Sequence, residues 1–193
     1  GFTVLAPMIL SRTGNNEIIL GTTQTVGAIG GVLGGLLMTA WGGPKKLVHG
    51  VLIGWFVSSL FGETLFGLGR EVIVWSIASF IFALIIPILN GSNQAIWQAK
   101  VAPDVQGRVF AIRRLIAWFV APLARLAAGP LADQFFEPAM DPAKTGWLVE
   151  SFEWLVGSGP GAGMALMLVF SGLMGAAVGL GGYLFPVVRN AEE

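Results

Sequence analysis

The sequence predicts an all-α, polytopic membrane protein, a transmembrane helix bundle with about five complete spans. Of its 193 residues, 54% are hydrophobic and 11% are charged, whereas soluble domains carry about 25% charged residues. Several apolar stretches reach the roughly 20 residues that a helix needs to cross a bilayer. They are apolar on all sides, which favours helices over the strands of a membrane barrel, whose polarity alternates.

The first predicted element is an apolar segment at residues 1–10 that is too short to cross a bilayer. We expect it to be the end of a span that starts upstream, so that the chain is a fragment of a longer protein. Five complete spans follow, at residues 18–41, 47–66, 72–95, 115–132 and 162–188. Before the last span, apolar side chains recur at helical spacing over residues 145–156 and predict an amphipathic helix on the outer membrane face.

Positive charge predicts the orientation of these spans. The polar connection at residues 90–114 carries four Lys and Arg residues, and short loops rich in these residues stay in the cytoplasm. Alternation of the spans then places the 42–46 turn and the C-terminus on the same side. The cytoplasmic set is Lys45, Lys46, Lys100, Arg108, Arg113, Arg114 and Arg189, and the outer set is Arg12, Arg70 and Lys144. This bias favours a cytoplasmic C-terminus.

Small residues at four-residue spacing mark two of the spans. The first span has Gly27, Gly31 and Gly35, overlapped by Gly30 and Gly34, and the last span has Ser171, Gly175 and Gly179. This spacing leaves one side of a helix without large side chains, so that a neighbouring backbone can approach closely. We call such a strip of small residues a seam. General tolerance of glycine in membrane helices is the alternative, but overlapping series favour a packing seam.

Composition excludes several classes of function. The chain has no cysteine and a single histidine, which excludes disulfides, thiol nucleophiles and multi-histidine zinc sites. Its formal net charge is 0, so no overall field attracts nucleic acid. The sequence has no Gly-Lys-Ser/Thr phosphate loop, and no serine follows a glycine two residues earlier, as an intramembrane serine protease would need. We therefore expect no catalytic residue, no metal, no cofactor and no nucleic-acid partner.

The run NGSNQAIWQAKVAPDVQGRVFAIRRLIAWFVAPLARLAAGPLAD, at residues 90–133, resembles the tenth and eleventh spans of the major facilitator superfamily. The nearest branch is the macrolide-efflux-like group of bacterial drug exporters. GGLLMTAWGGPKK, at 34–46, is similar to that group's loop between the eighth and ninth spans, and GSGPGAG, at 157–163, to the start of its twelfth. The chain departs from the superfamily's G-x-L-x-D-R-x-G motif, because Thr39 and Ala40 stand at its charged positions.

This resemblance implies that the five spans are the eighth to twelfth and that residues 1–10 close the seventh. The chain would be the C-terminal half of a secondary active transporter that exports an amphipathic small molecule, macrolide-like or similar, by proton antiport. Its partners would be the lipid bilayer, the N-terminal half of the same transporter, the small-molecule substrate and protons. It would lie in the bacterial cytoplasmic membrane. A non-catalytic membrane scaffold built on the glycine seams is the alternative.

Polar residues within the spans are the candidates for a substrate cavity. Arg125 lies in the outer half of the fourth span, where it would face the cavity or extend to the outer headgroups. Gln24, Asn90, Asn93 and Gln94 complete the cavity set, with hydrogen bonds between helices as the alternative.

A second candidate set lies at the cytoplasmic ends of the spans and is implied by the resemblance. These gating or loop residues are Gly107, Arg108, Gly42, Lys45 and Lys46. The cation of Arg108, in the QGRVF block, is expected to hold the inner loops together. Glu63, near the outer end of the second span, is expected at the membrane interface rather than in a proton path.

Overall fold

The computed structural model describes residues 2–143 and 146–190, and these residues form helices joined by turns, with no β-strand among them. Five helices are long and apolar enough to cross a membrane. They are α2 (Glu17–Trp41), α3 (Leu47–Leu68), α4 (Val72–Lys100), α5 (Gln106–Ala139) and α7 (Ala162–Leu184). The shorter helices are α1 (Leu5–Arg12), α6 (Trp147–Val156) and α8 (Pro186–Arg189). The chain is therefore an all-helical protein built from membrane-spanning helices.

The ends of α2 follow from local chemistry. The Asn16 side chain accepts hydrogen bonds from the backbone N–H groups of Ile18 and Ile19, at 3.1 and 3.3 Å, and so caps the first turn. At the other end Gly42 adopts φ +78°, and its N–H donates to the Met38 carbonyl at 2.9 Å. Glycine reaches this left-handed conformation without strain, so the helix stops there.

The connection at residues 90–114 differs from the expected long loop. Helix α4 continues through Lys100 and α5 begins at Gln106, so only residues 101–105 form the turn. The 29 residues of α4 reach about 43 Å at 1.5 Å per residue, which exceeds the roughly 30 Å hydrocarbon core. Beyond that core, polar side chains are as compatible with a helix as apolar ones, so loss of hydropathy marks the membrane edge and not the helix end.

Three other boundaries differ for related reasons. Helix α5 passes the expected end at residue 132 through a π-helical segment, Leu131–Phe136, before it ends at Ala139. Helix α7 ends at Leu184, ahead of Pro186, which opens the short helix α8 instead of continuing the span. The amphipathic helix α6 begins at Trp147; of its expected range, residue 145 lies outside the described residues.

Helices α3 and α4 form the centre of the bundle. Helix α4 packs along α2 on one side and along α3 on another, and α3 in turn packs against α7. At the end of the bundle near α6, a hydrophobic core joins α1 and α6 to the spans. Its fully buried large side chains are Met8, Ile9, Phe66, Trp75, Met140, Val156, Leu166 and Leu168.

The contact between α2 and α4 is a close approach of two backbones at glycines. A Cβ added at Gly30 or Gly34 would meet the carbonyl of Phe80 or Leu84, and one added at Gly27 would meet the Ser79 side chain. The expected seam at Gly27, Gly31 and Gly35 is therefore displaced: Gly31 is in ordinary contact, and no atom lies within 4 Å of a Cβ at Gly35. Because a helix has 3.6 residues per turn, strict four-residue steps drift off one face, whereas alternating three- and four-residue steps stay on it.

The second seam brings α7 against α3. A Cβ at Gly172 or Gly175 would meet Thr64 or Ser59, and one at Gly179 would lie 2.8 Å from the backbone nitrogen of Phe56. Ser171 lies beside this seam, where its hydroxyl donates to Glu63 Oε1 at 3.1 Å. The small residues of the last span thus allow two helices to approach closely and leave room for a polar contact.

Helix α5 stands apart from this packing. No residue of Gln106–Pro130 is buried, and away from the turn this part of α5 packs against the Phe2–Val4 segment. The last part of α5, Leu131–Ala139, packs against α7. The exposed large apolar side chains of α5 are Ile112, Leu115, Ile116, Trp118, Phe119, Val120, Leu123, Leu126, Leu131 and Phe135. The bundle proper therefore consists of α2, α3, α4 and α7, and α5 is attached to it at its ends.

The Gly34→Ala substitution should destabilise the bundle, because the added methyl group meets a backbone carbonyl that cannot move independently of α4. Overpacking of this kind costs about 1–3 kcal/mol. The matched control is Gly35→Ala, which adds its methyl group to open space one residue away. Thermal melting of the detergent-solubilised protein should show a lower midpoint for Gly34→Ala than for Gly35→Ala and the parent. Equal midpoints for the two variants would contradict this packing.

Candidate functional site: the polar stripe of α4

Four polar or aromatic residues form a stripe along the last turns of α4. Asn90, Asn93, Gln94 and Trp97 follow the i, i+3, i+4, i+7 spacing of one helix face, and Asn90 and Gln94 are exposed. We call these four residues the polar stripe. The candidates Asn90, Asn93 and Gln94 are thus brought onto one face of a spanning helix.

The other faces of the same turns are occupied. Leu89 packs against Gly54 of α3, where an added Cβ would lie 3.1 Å from the leucine Cβ, and Ser92 is fully buried against Gly50. Gly91 lies against the Met38 side chain of α2. Because α2 and α3 hold these faces, the polar stripe points away from the bundle.

A cavity of about 360 Å³ lies where the polar stripe meets the first turns of α5. It is lined by Gln94, Phe110, Arg113 and Arg114. The lining combines an amide, an aromatic ring and two cations. Such a surface can accept hydrogen bonds from a ligand through the amide oxygen, donate through the guanidinium groups and stack against a flat apolar group.

Arg113 joins the two helices at this cavity. Its guanidinium carbon lies 4.2 Å from the ring centroid of Trp97 and 5.8 Å from that of Phe110. A cation over an aromatic face is attracted by the ring quadrupole. Sequence reasoning missed this role, although the three-residue spacing of Phe110 and Arg113 on one helix face was a usable signal.

Gln106 is a second residue that sequence reasoning missed. Its Nε2 donates to the carbonyls of Gln98 and Val101, at 3.0 and 2.9 Å. These carbonyls lie at the C-terminal end of α4, where no further turn of the helix supplies a donor. Gln106 therefore caps α4 and at the same time fixes where α5 starts.

The expected gating residues lie around this site without forming one cluster. Gly107 and Arg108 are exposed in the first turn of α5, and no atom lies within 4 Å of a Cβ added at Gly107. Lys45 and Lys46 are exposed just before α3. Gly42 has the structural role of ending α2. In this structure Arg113, and not Arg108, makes the cationic contact between α4 and α5.

Gln24 and Arg125 are placed away from the polar stripe. Gln24 is exposed on α2, towards the end of the bundle that carries α6, and Arg125 is exposed on α5. The structure therefore divides the expected cavity set into the three α4 residues and two outlying ones.

Glu63 is half-buried where α3 packs against α7, and its expected place at the membrane interface stays a prediction. It belongs to the π-helical segment of α3, Ser58–Thr64, and accepts a hydrogen bond from Ser171 of α7. An extra residue in a helix turn re-aims side chains, and such segments are frequent at functional sites. No pattern in the sequence marked this segment.

None of the protein-family models, curated proteins and solved structures with which the chain was compared matches it. The resemblance to the major facilitator superfamily therefore stays a prediction from the motifs.

Substitution of Arg113 should weaken the junction of α4 and α5 more than substitution of Arg108. Arg113→Gln removes the cation over two rings, which contributes about 0.5–1 kcal/mol at accessible sites, whereas Arg108 is exposed. Arg113→Lys should retain part of the effect, because it keeps the charge but not the planar group. Thermal melting of the three purified variants tests the order, and an equal or larger loss in Arg108→Gln would contradict it.

Proposed function

We propose that this chain is the C-terminal helix bundle of a secondary active transporter of the major facilitator type. The transported compound is an amphipathic small molecule, macrolide-like or similar, exported across the bacterial cytoplasmic membrane in exchange for protons. The resemblance of the sequence motifs supports the transporter class. The polar stripe supports a path for a polar or amphipathic substrate along α4.

The outward direction of the polar stripe is the observation that carries this proposal. Asn90 and Gln94 are exposed on a helix whose neighbouring faces are packed against α2 and α3. Amide groups left without partners in hydrocarbon cost several kcal/mol, roughly 2–7 depending on the reference state. The stripe is therefore expected to face water, substrate or another part of the transporter.

Helix α5 supports the proposed partner, the N-terminal half. Its apolar side chains are exposed around the helix, while the cavity at its first turns is polar. Secondary transporters of this type bind substrate between two helix bundles that rock against each other. A second bundle that packs beside α5 would close the open side of the polar stripe and complete such a site.

Export by the full-length transporter should depend on the stripe. Asn93→Leu replaces the amide with an apolar side chain of about the same size. The loss of a substrate hydrogen bond worth roughly 1.4 kcal/mol lowers the transport efficiency about tenfold. Ile77→Leu on the exposed apolar face of α4 is the matched control and should transport as the parent does. Drug uptake into inverted membrane vesicles, whose lumen corresponds to the cell exterior, is the measurement and is normalised to protein content.

The proton coupling is tested in the same vesicles. A protonophore should abolish export, because antiport has no other energy source. Export that persists without the proton gradient would overturn the coupling but leave the transporter class standing. Equal transport by Asn93→Leu and the parent would count against the proposed substrate path, and no export of any amphipathic compound would favour the scaffold.

A further inference from the structure

A second cavity lies at the opposite end of the bundle from the polar stripe. Its volume is about 670 Å³, and it opens where α1 ends, where α3 meets α4 and where α6 meets α7. The lining residues are Ser11, Arg12, Arg70, Glu153, Val156, Gly157, Ser158 and Pro160. Two arginines and one glutamate give this lining a formal charge of +1.

Arg12 is a fixed cation in this cavity. Its Nη1 donates to the Gly69 carbonyl at 2.7 Å and its Nη2 to the Val156 carbonyl at 2.5 Å. Both carbonyls lie at helix C-terminal ends, which attract positive charge. Burial, and next the charge of Arg70, lower the pKa of Arg12 to about 10, against the opposing effect of Glu137. Arg12 therefore remains charged at neutral pH, with N–H groups left to donate.

Arg70 supplies the second cation. It is exposed, and its guanidinium carbon lies 3.6 Å from the position of a Cβ added at Gly157, so it rests over the turn between α6 and α7. The Glu153 carboxylate accepts a hydrogen bond from Ser158 Oγ at 2.6 Å. Both guanidinium groups line the same cavity, and the charge of Arg70 lowers the pKa of Arg12. An anion between them would relieve this repulsion.

The depth of the cavity in the membrane follows from α6. This helix buries Leu148, Val149 and Val156 against the bundle and leaves Trp147 and Trp154 exposed by 69% and 76%. Exposed tryptophans on an amphipathic helix are typical of the headgroup region, because the ring is apolar and its N–H is polar. Since Glu153 and Val156 of the same helix line the cavity, we expect the cavity at headgroup level.

We propose that this cavity binds the phosphodiester group of a phospholipid headgroup between Arg12 and Arg70. Guanidinium groups donate two parallel hydrogen bonds to phosphate oxygens and are the preferred partners of this group in proteins. Phosphodiesters are concentrated at headgroup depth, and the acyl chains of the lipid would extend along the apolar sides of the spans. The site does not depend on the transported compound or on the coupling ion, and it goes beyond the proposed function.

The test is native mass spectrometry of the delipidated full-length protein titrated with phosphatidylglycerol in detergent. Arg70→Gln should weaken binding at one site by about tenfold, the loss expected for charge-assisted hydrogen bonds. Arg70→Lys should lie between Gln and the parent, because a point charge cannot donate in parallel. Arg189→Gln, an exposed arginine at the other end of the bundle, is the control and should bind as the parent does.

Equal lipid binding by Arg70→Gln and the parent would overturn the proposal, as would an equal loss in Arg189→Gln. Thermal melting of each variant shows that it is folded; if Arg70→Gln does not fold, the comparison rests on Arg70→Lys. An excess of inorganic phosphate in a separate titration distinguishes the source of the phosphate group. Bound lipid should persist in that excess, and its complete displacement would show a site for free phosphate instead of a headgroup.

Discussion

The close approach of helix backbones at glycines is the constraint on which the rest of this structure depends. Within a bilayer, apolar side chains gain little by leaving lipid for protein, so helices associate through tight packing instead. Because Gly30 and Gly34 have no side chain, the backbone of α4 lies directly against α2. In the same way, Gly50 and Gly54 of α3 leave room for side chains of α4. Two faces of α4 are therefore packed against neighbouring helices. Its rotation about its own axis is set by these contacts.

The position of the polar stripe is a consequence of that rotation. On a helix, residues three and four apart share a face, so burial of Leu89 and Ser92 leaves Asn90 and Gln94 on the exposed side. Asn93 lies between the two faces and is half-buried. The turn that follows then ties α5 to the same end, through the capping Gln106 side chain and the contact between Arg113 and Trp97. A single packing arrangement thus determines both the rigid part of the bundle and the side of α4 that stays open.

Hydropathy was sufficient to predict the five spans, because apolar length in a membrane protein is a direct physical requirement. It could not predict that α4 continues to Lys100, since a helix outside the hydrocarbon core has no hydropathy signature. Small-residue spacing indicated which helices pack closely, but the displacement from Gly35 to Gly34 depends on how α2 and α4 cross. The polar stripe was visible as a cluster, whereas the contacts of Arg113, Gln106 and Glu63 join residues whose proximity only the folded chain shows.

We expect the polar stripe to face a water-filled path and not lipid. The most direct measurement is the reaction of single cysteines with a charged thiol reagent in the full-length protein, because the reactive thiolate forms only where water is present. Asn93→Cys should react at a rate within about tenfold of Ala102→Cys in the exposed turn, as expected for a hydrated thiol. Ile77→Cys, on the exposed apolar face of α4, should react far more slowly. A rate for Asn93→Cys as low as that of Ile77→Cys would contradict the account.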